Sequence, residues 1–222
     1  MLKELLKLLN KGSLMEQAFR ETIEMITVLE TMFKDSVAYL HDGTVPPNDR
    51  DVYQMDKRIN LLEQKMRRHI YNHLVLSEGK ELYMSLILVQ MAVDLERVGD
   101  YVKNLYDIRR LAGDVTFPEK QAEMKDLEQK TLAMFPRIRK ALEVSDTFDA
   151  TAIQKEHFEL VKQCDRRVEE FLKMEGDSNT RRTTVLVLYY RYIKRVIAHL
   201  INVASAISNP YDRVGFHPDD II

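Results

Sequence analysis

The segment Val93-Asp94-Leu95-Glu96-Arg97-Val98-Gly99-Asp100-Tyr101 concentrates the chemistry on offer in this 222-residue sequence. Glu96 and Asp100 are four residues apart, so on a helix both carboxylates leave the same face. Like charges at that spacing cost about 0.2–0.5 kcal/mol unless a positive group sits between them. The pair continues the apolar line Leu82, Leu86, Val89, Val93, which places it near a neighbouring helix. Hard oxygen ligands gathered between helices suit a divalent or ferric ion. Gly99 lowers helix propensity but permits close approach of another helix or a ligand. A second acidic pair, Asp56 and Glu63, is two helical turns apart and also shares a side. Asp56, Glu63, Glu96 and Asp100 together could form an all-carboxylate metal site. The plainer alternative is surface carboxylates paired with Arg97, Lys57 or Lys103, and spacing alone favours it.

Other candidate groups are weaker. His69 and His73, four apart, could hold zinc, but no acid or cysteine stands beside them in the sequence, and they read as surface residues. Arg67-Arg68, Arg109-Arg110, Arg137-Arg139-Lys140 and Arg181-Arg182 are basic clusters scattered among acids, the pattern of an ordinary helix surface. Tyr189-Tyr190-Arg191-Tyr192 fits a core as well as an interface. The Glu-x-x-His pattern of di-iron bundles does not occur. Neither does a Gly-rich phosphate loop, Gly-x-Ser-x-Gly, His-Glu-x-x-His or Cys-x-x-Cys. No catalytic apparatus is recognisable, so the expectation is a protein that is not an enzyme.

The elements that must position these residues are long helices. Only 7 Gly and 6 Pro are available for turns, and helix formers abound. Six helical segments can be marked by their punctuation. The first opens at Ser13, with Glu16 in a capping-box position, and closes at Asp42-Gly43. Pro46-Pro47 follow. The second runs from about Asp49 to Leu76, the third from about Lys80 to Ala112. Thr116 and Pro118 open the fourth, which runs to about Val144 with an expected kink or break at Pro136. The fifth spans about Phe148 to Glu175 and closes at Gly176. Asp177 or Ser178 caps the sixth, which ends at Ser208 before Asn209-Pro210. Residues 1–12 read as a short amphipathic N-terminal helix without a cleavage site, and residues 209–222 as a loop or flexible tail.

Short connections between long helices imply antiparallel packing. Weak self-similarity suggests a repeat: Met32-Phe33 matches Met134-Phe135, Asp56 matches Asp165, and Arg97-Val98 with Asn104 matches Arg195-Val196 with Asn202. The expected fold is all-α, two tandem three-helix bundles over residues 13–113 and 114–208. A net charge of −2 predicts no strong attraction to nucleic acid. The lone Cys164 cannot form an internal disulfide. No apolar run is long enough to span a bilayer, so a cytoplasmic location, peripheral to a membrane at most, is expected.

Over about residues 13–208 the sequence resembles the PhoU family of phosphate-uptake regulators. Leu95-Glu96-Arg97-Val98-Gly99-Asp100 is similar to that family's third-helix string, and Asp56-x-x-Ile59-Asn60 to its second-helix pattern. The resemblance implies two three-helix repeats. It also implies negative regulation of phosphate uptake and of phosphate-starvation signalling. Implied partners are the cytoplasmic part of a phosphate transporter or a sensor kinase. By the same resemblance Glu96 and Asp100, with Asp56 and Glu63, hold a metal ion, iron or another divalent cation. The second repeat departs from the pattern: Lys194 and Ala198 stand where the two third-helix acids are expected, so metal is expected in the first repeat only. Two other readings remain: a carboxylate-bridged metalloenzyme, and a metal-free helical adaptor. Apolar stripes on six helices leave a homodimer open as well.

Overall fold

The computed structural model describes residues 12–114, 116–174 and 179–216. Its described residues form six long helices and no strand: α1 (Leu14–Asp42), α2 (Val52–Leu76), α3 (Leu82–Ala112), α4 (Gln121–Val144), α5 (Thr147–Leu172) and α6 (Thr180–Ser208). The expected all-α fold is therefore observed.

The helix ends follow local chemistry. Ser13 Oγ accepts the Glu16 N–H at 3.1 Å, satisfying one of the open donors of the first turn of α1. The reciprocal arm reaches one residue further back than a capping box requires, because the Glu16 carboxylate takes the Gly12 N–H. Gly43 ends α1 at φ 76°, a left-handed conformation natural to glycine. α2 starts later than Asp49, since Asn48–Arg50 form a 3-10 turn and Asp51 supplies the cap to Gln54. α4 likewise starts at Gln121, three residues past Pro118, and then continues unbroken through Pro136 to Val144. Asp146 caps α5. Asn179 caps α6 through the Arg182 N–H. The expected markers Gly176, Asp177 and Ser178, and the N-terminal segment 1–11, lie outside the described residues.

α1, α2 and α3 pack on one another, as do α4, α5 and α6; α1 also meets α4, and α3 runs along α6. One apolar cluster extends through both groups, from Met25, Leu29 and Ile59 to Ile138, Leu160 and Ile193. Phe33 and Phe135, which the repeat pattern equates, meet across the α1–α4 contact with ring centroids 5.8 Å apart. Full burial of each such ring contributes about 2–3 kcal/mol. Tyr189 and Tyr190 are core residues. Cys164 is fully buried among the apolar residues of the same cluster.

Residues 209–216, which follow α6, are held by specific bonds despite their lack of periodicity. Tyr211–Arg213 form a 3-10 turn, and the Gly215 N–H donates to Ser205 Oγ at 2.7 Å. Tyr83 of α3 donates to the Asn209 carbonyl at 3.4 Å. Among the described residues, no helix is long and apolar enough to cross a membrane.

Candidate functional site

The antiparallel α2–α3 pair carries the four acids singled out by spacing. Ile59 and Leu62 of α2 and Val98 and Val102 of α3 turn inward to the core. That fixes the rotation of both helices and leaves Asp56, Glu63, Glu96 and Asp100 on the half-buried flank of the seam. Gly99 lies against α1 and α2: a Cβ there would come 3.5 Å from Leu29 and 3.6 Å from Ile59. Those are ordinary contacts, so the glycine eases the approach without being required by it.

The charge on this flank is balanced from within. Lys103 Nζ donates to Asp56 at 2.8 Å and to Asp100 at 3.1 Å, bridging α2 and α3. Arg97 reaches Asp100 at 3.2 Å and Glu96 at 3.6 Å. Arg67 takes Glu63 at 2.6 Å, one turn along its own helix. Burial raises the Glu96 pKa; repulsion from Asp100, Glu63 and Asp56 adds to this, and Arg97 opposes it. Burial would lower the Lys103 pKa, but its bonds to Asp56 and Asp100 outweigh that and raise it. The four acids therefore share one electrostatic neighbourhood. As their side chains stand they do not fit a resident metal ion. Among the described residues no three His, Cys, Asp or Glu side chains are grouped closely enough to hold one. The positive group nearest Asp56 and Asp100 is an ammonium.

The second half is arranged in a related way. Lys194 of α6, the residue matching Glu96, places Nζ 2.5 Å and 2.6 Å from the two carboxylate oxygens of Asp165 on α5.

A site that spacing did not single out joins α3 to α6. Asp94, almost wholly buried, accepts Gln90 Nε2 at 2.9 Å on one oxygen. Its other oxygen meets His199 Nδ1 at 2.8 Å and accepts Asn202 Nδ2 at 2.9 Å. Arg195 lies 3.1 Å from His199 Nε2. A guanidinium only donates, so that nitrogen is the acceptor and Nδ1–H is the donor to Asp94. Tyr101 stacks on the His199 ring, and the Arg195 guanidinium lies over the Tyr101 ring. The signal for Asp94 was present in the sequence: it falls on the apolar line Leu88, Met91, Leu95, Val98, where an acid must find partners. A second buried acid, Glu128 of α4, holds His41 of α1 at 2.8 Å and accepts the Tyr189 hydroxyl at 2.9 Å.

Most of the remaining candidates are accounted for by pairing. His69 and His73 each stand beside an acid after all, Glu21 at 3.0 Å and Glu81 at 3.2 Å, but a different one for each. Arg110 pairs with Asp107, Arg137 with Asp149 and Glu156, Arg139 with Glu30, and Arg182 with Glu119. Arg109 turns inward to the Leu40 carbonyl, 3.1 Å away.

Comparison with known proteins bears on what such an arrangement does. The family model for the PhoU domain matches residues 22–108, which spans most of α1 and all of α2 and α3 to within a turn of its end. No curated protein sequence matches the chain. Among solved structures, the chain is similar to the phosphate transport system regulatory protein PhoU from Streptococcus pneumoniae. The TM-score is 0.72 at 13% identity, covering 87% of this chain and 92% of that one. At that identity the likeness is one of fold, and it extends over both halves.

Proposed function

Taking as premise a chain whose residues 22–108 match the PhoU domain, we propose that it regulates phosphate transport. The observation that carries this reading is the domain match over α1–α3, set within a whole-chain fold similar to a phosphate transport regulatory protein. The proposed mode of action is docking on a protein partner, with no turnover. The partner is the cytoplasmic part of a phosphate transporter, or a sensor kinase that reports phosphate starvation, and the effect is negative. Several features support docking over catalysis. The polar groups found together are bonded to one another: Asp94 to three donors, Glu128 to two, and Lys103 to two acids. A group committed in this way orients helices and is poorly placed to transfer protons to a substrate.

Deleting the gene tests the reading. Uptake of labelled phosphate and a phosphate-starvation reporter are followed in cells grown with and without phosphate. The expected result is raised uptake or a reporter active in rich phosphate. Unchanged phosphate handling after removal of this gene and every homologue in the host would overturn it.

A further inference from the structure

We infer that lysine ammonium groups take the place of a metal ion in both halves of this chain: Lys103 clamps α2 to α3, and Lys194 clamps α5 to α6. Asp56 and Asp165 are the residues that the repeat pattern equates on the second helix of each half. Each is held by a lysine from the third helix of its own half. Lys103 donates to Asp56 and Asp100 at 2.8 and 3.1 Å. Lys194 lies 2.5 and 2.6 Å from the two oxygens of Asp165. The two lysines do not occupy equivalent positions. With Arg97 set against Arg195, Lys194 falls opposite Glu96, whereas Lys103 falls opposite Ile201, two turns further along. The same pairing has thus been reached from two different points on the third helix. Inheritance of a single ion pair in both repeats would have kept the register.

The physical chemistry favours a tethered cation here. An ammonium carried by the chain is always at hand, and it offers three donors to acids on two helices. A metal ion entering among these acids would have to displace Lys103 and then lie close to it, at a Coulomb cost that grows as the seam excludes water. In the first half the acids remain as a cluster, with Glu96 raised in pKa by burial and by its acidic neighbours. In the second half the cluster itself is reduced, because Lys194 and Ala198 stand at its third-helix positions. Both halves end with an Asp on the second helix bound to an ammonium on the third. The inference is independent of the phosphate reading, since metal content and melting temperature report nothing of uptake.

The experiment measures metal content by elemental analysis and melting temperature with EDTA or with manganese chloride. It compares the full-length wild type, Lys103→Met, Lys103→Arg and Glu96→Ala/Asp100→Ala. The wild type should purify without stoichiometric metal and melt at the same temperature in EDTA and in manganese. Lys103→Met should melt about 2–4 °C lower, and manganese should restore most of that loss, because Asp56 and Asp100 then lack the ammonium that bridges them. Lys103→Arg keeps the charge and should remain indifferent to manganese. Should Lys103→Met fail to fold, the wild type and Lys103→Arg decide the matter alone. A stoichiometric metal in the wild type that is lost in Glu96→Ala/Asp100→Ala would overturn the inference. So would stabilisation of the wild type or of Lys103→Arg by manganese, or a Lys103→Met protein that does not respond to it.

Discussion

Glu96 and Asp94 are two residues apart on α3 and meet opposite fates. Glu96 is half-buried with its pKa raised, first by burial and then by Asp100, Glu63 and Asp56. The folded chain therefore holds this proton to a higher pH than the unfolded chain does. Stability falls as pH rises from the ordinary 4.5 through the raised value, and this contribution is level above it. Glu96→Gln removes the loss. The variant should melt above the wild type at pH 7, and the difference should vanish below pH 4.5, as thermal scans across pH would show. Asp94, by contrast, is buried with both oxygens bonded. Asp94→Ala leaves Gln90, His199 and Asn202 without their acceptor and should cost about 3 kcal/mol, read from the urea midpoint. The sequence exposed Glu96 because its spacing to Asp100 is a local pattern. It obscured Asp94 because the partners, His199 and Asn202, lie more than a hundred residues away in the chain and meet it only when α3 packs on α6. Lys103 was visible as one partner among several for the acids. Which acids it would bridge depended on the rotation of α2 against α3, which no local pattern reports.

At the scale of elements, the six helices were legible because each carries a long apolar stripe and a scarcity of Gly and Pro leaves few other places to turn. The misreadings cluster at the starts of helices. Pro118 and Asp49 both favour a first turn, yet each lies in a short turn that precedes the helix; Asp51 caps α2 through the Gln54 N–H, and α4 begins after Lys120 without a side-chain cap. A capping residue states only that a helix can start, and neighbouring candidates compete within a few tenths of a kcal/mol to about 1 kcal/mol. Pro136 was expected to kink or break α4. The helix is not broken there, and its flanks, Phe135 and Ile138, are buried in the core on both sides of the proline. The missing N–H still costs something, so Pro136→Ala should stabilise the protein by about 1–3 kcal/mol, measurable as a higher urea midpoint. A fall in stability would mean that the ring itself fills space that alanine leaves empty. Residues 209–222 have no period and read as a loop or flexible tail. Within residues 209–216 the chain is held by single bonds, Gly215 to Ser205 and Tyr83 to Asn209, which leave no mark on hydropathy.

For the whole molecule, the two groups of three helices are less separate than a tandem repeat implies. α3 and α6 share an extended contact, and the apolar cluster passes through both groups without interruption. Buried polar joints, Asp94 with His199 and Glu128 with His41, cross the same boundary. Removing one half would expose apolar surface and strip those acids of partners, each worth more than the repeat could regain alone. Heat and urea should therefore give one cooperative transition by far-ultraviolet circular dichroism and by tyrosine fluorescence, with coincident midpoints. Two resolved transitions would show that the halves are independent folding units. The repeat was legible as matched residues in the same order, but sequence matching cannot weigh the interface between the copies, and it is the interface that decides cooperativity.

The lone cysteine gives the chain a built-in clock. Cys164 sits at the α5–α6 seam next to Asp165, fully enclosed, and burial together with that neighbouring acid pushes its thiol up to about 12. Only the thiolate attacks a disulfide reagent, and at pH 8 a group with that pKa is ionised in roughly one molecule in ten thousand. Labelling of the native protein with a chromogenic disulfide must therefore wait for the seam to part. Its rate, divided by the rate for the urea-unfolded chain, gives the equilibrium constant for that parting. With no second thiol to confuse the signal, each absorbance trace times one opening event at one known place. A rate that follows the global urea transition would mean that α5 leaves α6 only when everything unfolds. A rate that exceeds it, and depends little on urea, would reveal α5 peeling away while the rest of the molecule stays folded.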